Sequence, residues 1–92
     1  MSYVVAFDPK VERDIARHIK AGNKKLVNKI HTLVVELAEH PRNGTGQPEP
    51  LKYHQGEFWS RRIDKEHRLI YEIVEEKLIV TAISAYGHYD DK

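Results

Sequence analysis

Residues 57–85 read EFWSRRIDKEHRLIYEIVEEKLIVTAISA, and here the hydrophobic pattern drops from a helical period to a period of two. Three strands are expected, Glu57–Ile63, Arg68–Val74 and Leu78–Ala85. The connections Asp64-Lys65-Glu66-His67 and Glu75-Glu76-Lys77 are too short for a crossover, so these strands should be antiparallel neighbours.

Upstream, Tyr3-Val4-Val5-Ala6-Phe7 is a short run of strand formers. Asp8-Pro9 then makes a good helix start, because Asp8 can cap free amides and Pro9 suits a first turn. Val11, Ile15 and Ile19 recur every fourth residue and predict one apolar side of a helix ending near Gly22. Asn23 is a candidate cap for a second helix. That helix carries the clearest stripe in the chain, Leu26, Val27, Ile30, Leu33, Val34, Leu37 and Ala38, and His40-Pro41 should end it. Pro41 to Pro50, with Gly44, Gly46 and Pro48 inside it, reads as a loop. The expected fold class is α+β, in the order β-α-α-β-β-β, with a helical hairpin on one face of a mainly antiparallel sheet. The other face is left for ligands.

The chain has 92 residues and 40% hydrophobic side chains, which suits one compact domain over residues 1–92. It contains no cysteine, so disulfides and thiolate zinc sites are excluded. The N-terminus lacks the features of a signal peptide, and no apolar run approaches membrane-spanning length. A soluble cytoplasmic protein is expected. The net charge is only +1, but it is unevenly spread. Lys and Arg outnumber Asp and Glu seven to five in residues 1–41 and six to four in residues 42–71, then fall to two against five in residues 72–92. Coating a nucleic acid by charge alone normally needs a stronger basic excess. Any RNA contact should be local and geometrically specific.

Three blocks carry a family resemblance: Gly46-Gln47-Pro48-Glu49-Pro50-Leu51-Lys52, Gly56-Glu57-Phe58-Trp59-Ser60-Arg61-Arg62-Ile63, and Glu66-His67-Arg68-Leu69-Ile70-Tyr71. Together, at this separation, they resemble the YoeB (Txe) toxins of the RelE/ParE superfamily, which belong to type II toxin-antitoxin systems. The resemblance implies a microbial-ribonuclease-like fold and cleavage of mRNA on the ribosome, without a metal or other cofactor. It further implies control by a YefM-like antitoxin and a homodimer. By position, Glu49 matches the general base, Arg68 the arginine that stabilises the phosphorane, and His88 the general acid. Arg62 matches a phosphate-binding arginine, Tyr89 the aromatic residue after the histidine, and Lys52 a supporting cation. The family usually closes on Tyr-His-Tyr. This chain instead reads Tyr86-Gly87-His88-Tyr89 and continues through Asp90-Asp91-Lys92.

The residue chemistry suits that reaction. An RNA 2′-OH attacks the adjacent phosphorus when a base removes its proton, an acid protonates the leaving 5′-oxygen, and fixed positive charge meets the phosphoryl oxygens. Glu49 stands between two prolines that restrict its backbone. Arginine keeps its charge and can bind two phosphate oxygens at once, and histidine titrates near neutrality. Arg61 and Arg62 are consecutive in a strand and must point to opposite faces, so at most one can line a site on a given face, and the plainer reading is that one of the arginines forms a surface ion pair with Glu57, Asp64 or Glu66. Trp59 is expected to pack in the core. His54 and His67 are alternative acids, whereas His18, His31 and His40 lie on helices and read as packing or surface residues. Lys10, Arg13, Arg17 and Lys20 form a basic stripe on the first helix, either a solvated face or a dock for ribosomal RNA. A noncatalytic ParE-like toxin that binds DNA gyrase is the competing reading. A noncatalytic RNA-binding module is a third, but a stacking platform and a strongly basic face are both missing.

Overall fold

The computed structural model describes residues 2–52 and 55–87. Strand β1 (Val4–Phe7) leads into helices α1 (Pro9–Lys20) and α2 (Lys24–Leu37), followed by strands β2 (Glu49–Pro50), β3 (Glu57–Arg62), β4 (Arg68–Val74) and β5 (Ile79–Ser84). The sheet order is β1-β5-β4-β3-β2. Strands β2 to β5 are antiparallel, and β1 lies parallel to β5 with Val5 opposite Val80. The α+β class, the helical hairpin and the three downstream strands agree with the sequence reading. The parallel pairing places the first strand beside the last, joined by a crossover that contains both helices.

Helix α1 starts as expected, with the Asp8 carboxylate accepting from the Lys10 N–H at 2.9 Å. Its buried face overlaps the predicted one only in part, since Ile15 packs against the core as expected but Ile19 does not. Val11, Asp14 and His18 are buried, while Ile19 is 60% exposed. The reason is angular. A helix advances about 100° per residue, so each fourth residue drifts about 40°, and Ile19 lies about 80° from Val11 while His18 lies only about 20° away. Two polar residues therefore occupy the inner face. Asn23 stands at the N-cap of α2 but makes no side-chain cap hydrogen bond. The α-helix also stops at Leu37 rather than at His40-Pro41, with the His40 N–H returning to the Glu36 carbonyl at 2.7 Å.

The core forms where Leu26, Ile30, Leu33 and Leu37 of α2, with Val11 of α1, meet Leu69, Tyr71, Ile73, Val80 and Ala82 of the sheet. Leu33 and Leu37 are fully buried, and truncating either to Ala would cost about 2–5 kcal/mol. Trp59 packs against this cluster, as expected. Because the helices cover this face, residues of alternate parity on β3 and β4 turn to the other.

The proline- and glycine-containing segment is not loop throughout: Glu49 pairs with Ser60 and Pro50 with Trp59, forming β2 at the sheet edge. An edge tolerates Pro50, whose missing N–H breaks no ladder. Gly46 brings the segment in. Its φ is +87°, its carbonyl accepts from the Arg62 N–H at 2.7 Å, and an added Cβ would stand 2.8 Å from the Arg62 carbonyl oxygen.

Candidate functional site

Strand register places the designated residues. Arg62 lies directly opposite Arg68, Ser60 opposite Ile70, and Glu49 opposite Ser60. Positions two apart on a strand share a face, so Glu49, Arg62 and Arg68 lie on one face, on three adjacent strands. Arg61, Leu69 and Tyr71 occupy the helix-covered face and are buried. The two cations Arg62 and Arg68 are thus cross-strand neighbours, an arrangement that is normally destabilising. Arg62 is exposed and Arg68 half-buried. The Arg68 Nη1 atom is buried and has no hydrogen-bond partner among the described residues. Lys52 follows β2 and is exposed. His88 and Tyr89, together with the alternative acid His54, lie outside the described residues.

The turn that delivers Arg68 is built by Asp64, whose Oδ1 accepts from the N–H groups of Glu66 at 2.8 Å and His67 at 2.7 Å. Partial burial pushes the Asp64 carboxyl up, but these N–H groups and the nearby histidines hold it below its ordinary value overall. At the other end of the site, the Arg68 N–H donates to the Gly87 carbonyl at 3.0 Å, and the Gly87 N–H donates to His67 Nδ1 at 2.9 Å. The His67 ring meets His18 edge-on at 4.7 Å and Tyr86 at 4.7 Å. Tyr86 stacks on His18, and the Arg17 guanidinium lies 3.7 Å from the Tyr86 ring centre. These groups line a cleft of about 510 Å³ together with Lys20 and Glu66. The predicted basic stripe is partly engaged, because Lys10 pairs with buried Asp14 at 2.9 Å and Arg17 covers Tyr86.

Arg61 is not the arginine of a surface ion pair with Glu57, Asp64 or Glu66. It is 0% exposed and pairs with Glu36 of α2 at 3.0 Å. Its Nη1 also donates to the Thr45 carbonyl, its Nη2 to the carbonyls of His40 and Asn43, and its Nε to the Tyr71 hydroxyl, which in turn donates to the Pro41 carbonyl at 2.7 Å. Five donors meet five acceptors, so Arg61 fastens residues 40–45 under the segment that becomes β2. Hydrogen bonds from Thr45 hold the Glu36 carboxyl below its ordinary value, against partial burial and with help from Arg61. Glu57 bonds instead to Arg42 through both carboxylate oxygens, at 2.7 and 2.9 Å.

Sequence reasoning passed over Asp14, His18 and the Nδ1 of His67 as contacts of the chain after β5. The available signal was angular, since Asp14 and His18 lie closer to Val11 around α1 than Ile19 does.

A helical hairpin packed on a five-stranded mixed sheet is the architecture of the small RelE/ParE-superfamily toxins, and solved structures of that class resemble this chain. The YoeB/ParE toxin from Agrobacterium tumefaciens superposes with a TM-score of 0.83 at 29% identity, over 94% of this chain and 99% of that one. The YoeB of Staphylococcus aureus, solved as a dimer, gives 0.80 at 31% identity over 97% and 100%, and in its YoeB-YefM complex 0.76 at 32% over the same shares. Toxin YoeB of a Synechocystis species is 45% identical over 68 residues, which is 74% of this chain and 77% of that protein. The family model for the YoeB-like toxin of bacterial type II toxin-antitoxin systems matches residues 7–89. The chain belongs to this family.

Proposed function

We propose that this toxin is a ribosome-dependent endoribonuclease that inhibits translation by cutting mRNA through the RNA's own 2′-OH. The observation that carries the reading is the buried Nη1 of Arg68, which has no hydrogen-bond partner among the described residues, directly opposite Arg62 and on the face that Glu49 shares. Two like charges placed together, one with an unsatisfied donor, are relieved by an anion with several acceptor oxygens, and a phosphodiester is such an anion.

Glu49 then takes the 2′-OH proton, with β2 fixing its backbone. As the oxygen attacks phosphorus, negative charge builds on the phosphoryl oxygens. Arg68, half-buried at the start of β4, meets it with a charge already at the site, and such preplaced charge stabilises the transition state. Arg62 holds the same phosphate, Lys52 adds positive potential, His88 protonates the departing 5′-oxygen, and Tyr89 contacts the substrate. The partners are mRNA, the ribosome, a YefM-like antitoxin and a second copy of the chain. Support for the last two is that the Staphylococcus aureus relative has been solved both with YefM and as a dimer. A ribosome-directed toxin acts in the cytoplasm.

The division of labour is tested with RNA carrying a 5′-sulfur at the cleaved linkage, because sulfur leaves readily without a proton. His88→Ala should be slow on normal RNA and recover most of its rate on the sulfur substrate, whereas Glu49→Ala should recover less. Equal rescue of both variants would remove the assignment of one base and one acid. Intact message alongside arrested DNA replication would favour the gyrase-binding alternative.

A further inference from the structure

We infer that His67 is a positioning residue: its Nδ1 fixes the Gly87 peptide and thereby aims the chain segment that begins at residue 88. The inference rests on the proposed ribonuclease reading, in which His88 supplies the acid.

All four backbone hydrogen-bonding groups of Ala85 and Gly87 are held by residues outside β5. The Ala85 N–H donates to Asp14 Oδ2 at 2.9 Å, and the Ala85 carbonyl accepts from His18 Nε2 at 2.8 Å. The Gly87 N–H donates to His67 Nδ1 at 2.9 Å, and the Gly87 carbonyl accepts from the Arg68 N–H at 3.0 Å. Asp14 and His18 are 5% and 3% exposed, so two buried polar side chains of α1 are spent on this short segment. A buried polar side chain is stabilising only when its partner is fixed.

Gly87 is where geometry is most demanding. Its φ is +83°, although an added Cβ would meet nothing within 4 Å among the described residues. The glycine is therefore required by backbone conformation and not by space. Held at its N–H by His67 and at its carbonyl by the Arg68 N–H, Gly87 has each of its two flanking peptide groups anchored, and the chain continues from that anchored residue. Because Arg68 supplies one of the two holds, the same strand start that carries the phosphate-binding guanidinium also fixes the origin of the acid-bearing segment. A rate that depends on sub-ångström alignment of acid and phosphate is sensitive to such a hold.

Only an unprotonated Nδ1 can accept the Gly87 N–H, so the ring must act as an acceptor at that nitrogen. Asparagine places its amide oxygen near the position of Nδ1, and leucine offers similar bulk with no acceptor. In the full-length toxin, His67→Leu should expose the Gly87 amide to fast hydrogen exchange, read by ¹⁵N NMR, and lower the single-turnover rate of mRNA cleavage on ribosomes at least tenfold. Half-saturation by ribosomes should change less than twofold. His67→Asn should keep the amide protected and the cleavage rate within about threefold of wild type. If His67→Leu does not fold, His67→Gln, whose amide reaches the position of the far ring nitrogen, takes its place.

A Gly87 amide still protected in the leucine variant overturns the hold itself. Lost protection with unchanged cleavage overturns its positioning role, as do equal cleavage losses in the Leu and Asn variants, which would trace the effect to ring packing against His18 and Tyr86 or to His67 acting as the acid itself. Should the wild-type toxin cleave no message, the ribonuclease reading fails, and the exchange measurement still decides the hold.

Discussion

Arg61 and Arg68 lie on neighbouring strands of one sheet, yet they are used in opposite ways. Every N–H of Arg61 has an acceptor, including the Glu36 carboxylate and carbonyls drawn from residues 40–45. Arg68 faces another cation and keeps a buried nitrogen without a partner among the described residues. A saturated buried cation holds a fold together, because removing it strands the groups around it. An unsaturated one adds little to the fold and much to the binding of an anion. The contrast separates stability from chemistry over the two faces of a single sheet.

That separation is broken most directly by exchanging the phenotypes. Arg61→Ala should destabilise the protein by about 3–5 kcal/mol, since it takes the cation away from the Glu36 carboxylate and leaves several carbonyls without their donor. For a domain whose total stability is on the order of 5–15 kcal/mol, that is a large fraction, and urea denaturation checks it. Arg68→Ala should change unfolding free energy by no more than about 0.5 kcal/mol, the range of substitutions outside structural networks. Its cleavage of ribosome-bound mRNA should fall about 10²- to 10³-fold. A folded Arg68→Ala protein that cleaves normally, or an Arg61→Ala protein as stable as wild type, would erase the distinction.

The distinction was half legible in the sequence. Alternation along a strand requires Arg61 and Arg62 to face opposite ways, and the hydrophobic period foretold the strands and the hairpin because both are local properties. The partner of Arg61 was not local. Glu36 is 25 residues away, and only the crossing of α2 over β3 brings it near. The edge strand at Glu49–Pro50 was missed because two residues show no period and two prolines read as loop. The misjudged face of α1 came from trusting apolar identity over helical angle, which hid Asp14 and His18. Of the designated site residues, Glu49, Arg62 and Arg68 could be placed on one face only once register was known, and no residue pattern announces that Gly87 bonds to His67.

Gly46 offers a smaller effect that couples the two regions. It is the point where the segment fastened by Arg61 meets β3, just before the strand that carries Glu49. Gly46→Ala imposes a left-handed conformation worth about 1–2 kcal/mol and a contact with the Arg62 carbonyl. It should therefore reduce both stability and cleavage. A loss of stability with cleavage intact, at a temperature where the protein stays folded, would show that the Glu49 strand does not depend on this anchor.

The smallest expected effect sharpens the contrast between saturated interior charge and surface charge. Glu57 and Glu36 both pair with an arginine, but the Glu57 pair with Arg42 is 39% exposed on each side, whereas Arg61 beside Glu36 is fully buried. The hydrogen bonds from Arg42 hold the Glu57 carboxyl below its ordinary value despite partial burial. A carboxyl with a depressed folded-state pKa contributes stability above its unfolded value of about 4.3, and loses that contribution as pH falls through the lower folded value. Glu57→Gln should then cost no more than about 1 kcal/mol at neutral pH, because exposed pairs are screened and Arg42 keeps Glu75 as a second partner. The difference from wild type should shrink as the pH drops below about 4. Glu36→Gln should cost more at neutral pH, since it leaves Arg61 buried with its charge uncompensated. Urea midpoints for both variants, measured stepwise downward from neutral pH, test this ordering. If Glu57→Gln is as damaging as Glu36→Gln, or if its deficit persists unchanged at acid pH, exposure does not control the strength of these pairs, and the contrast between buried and exposed charge loses its electrostatic basis.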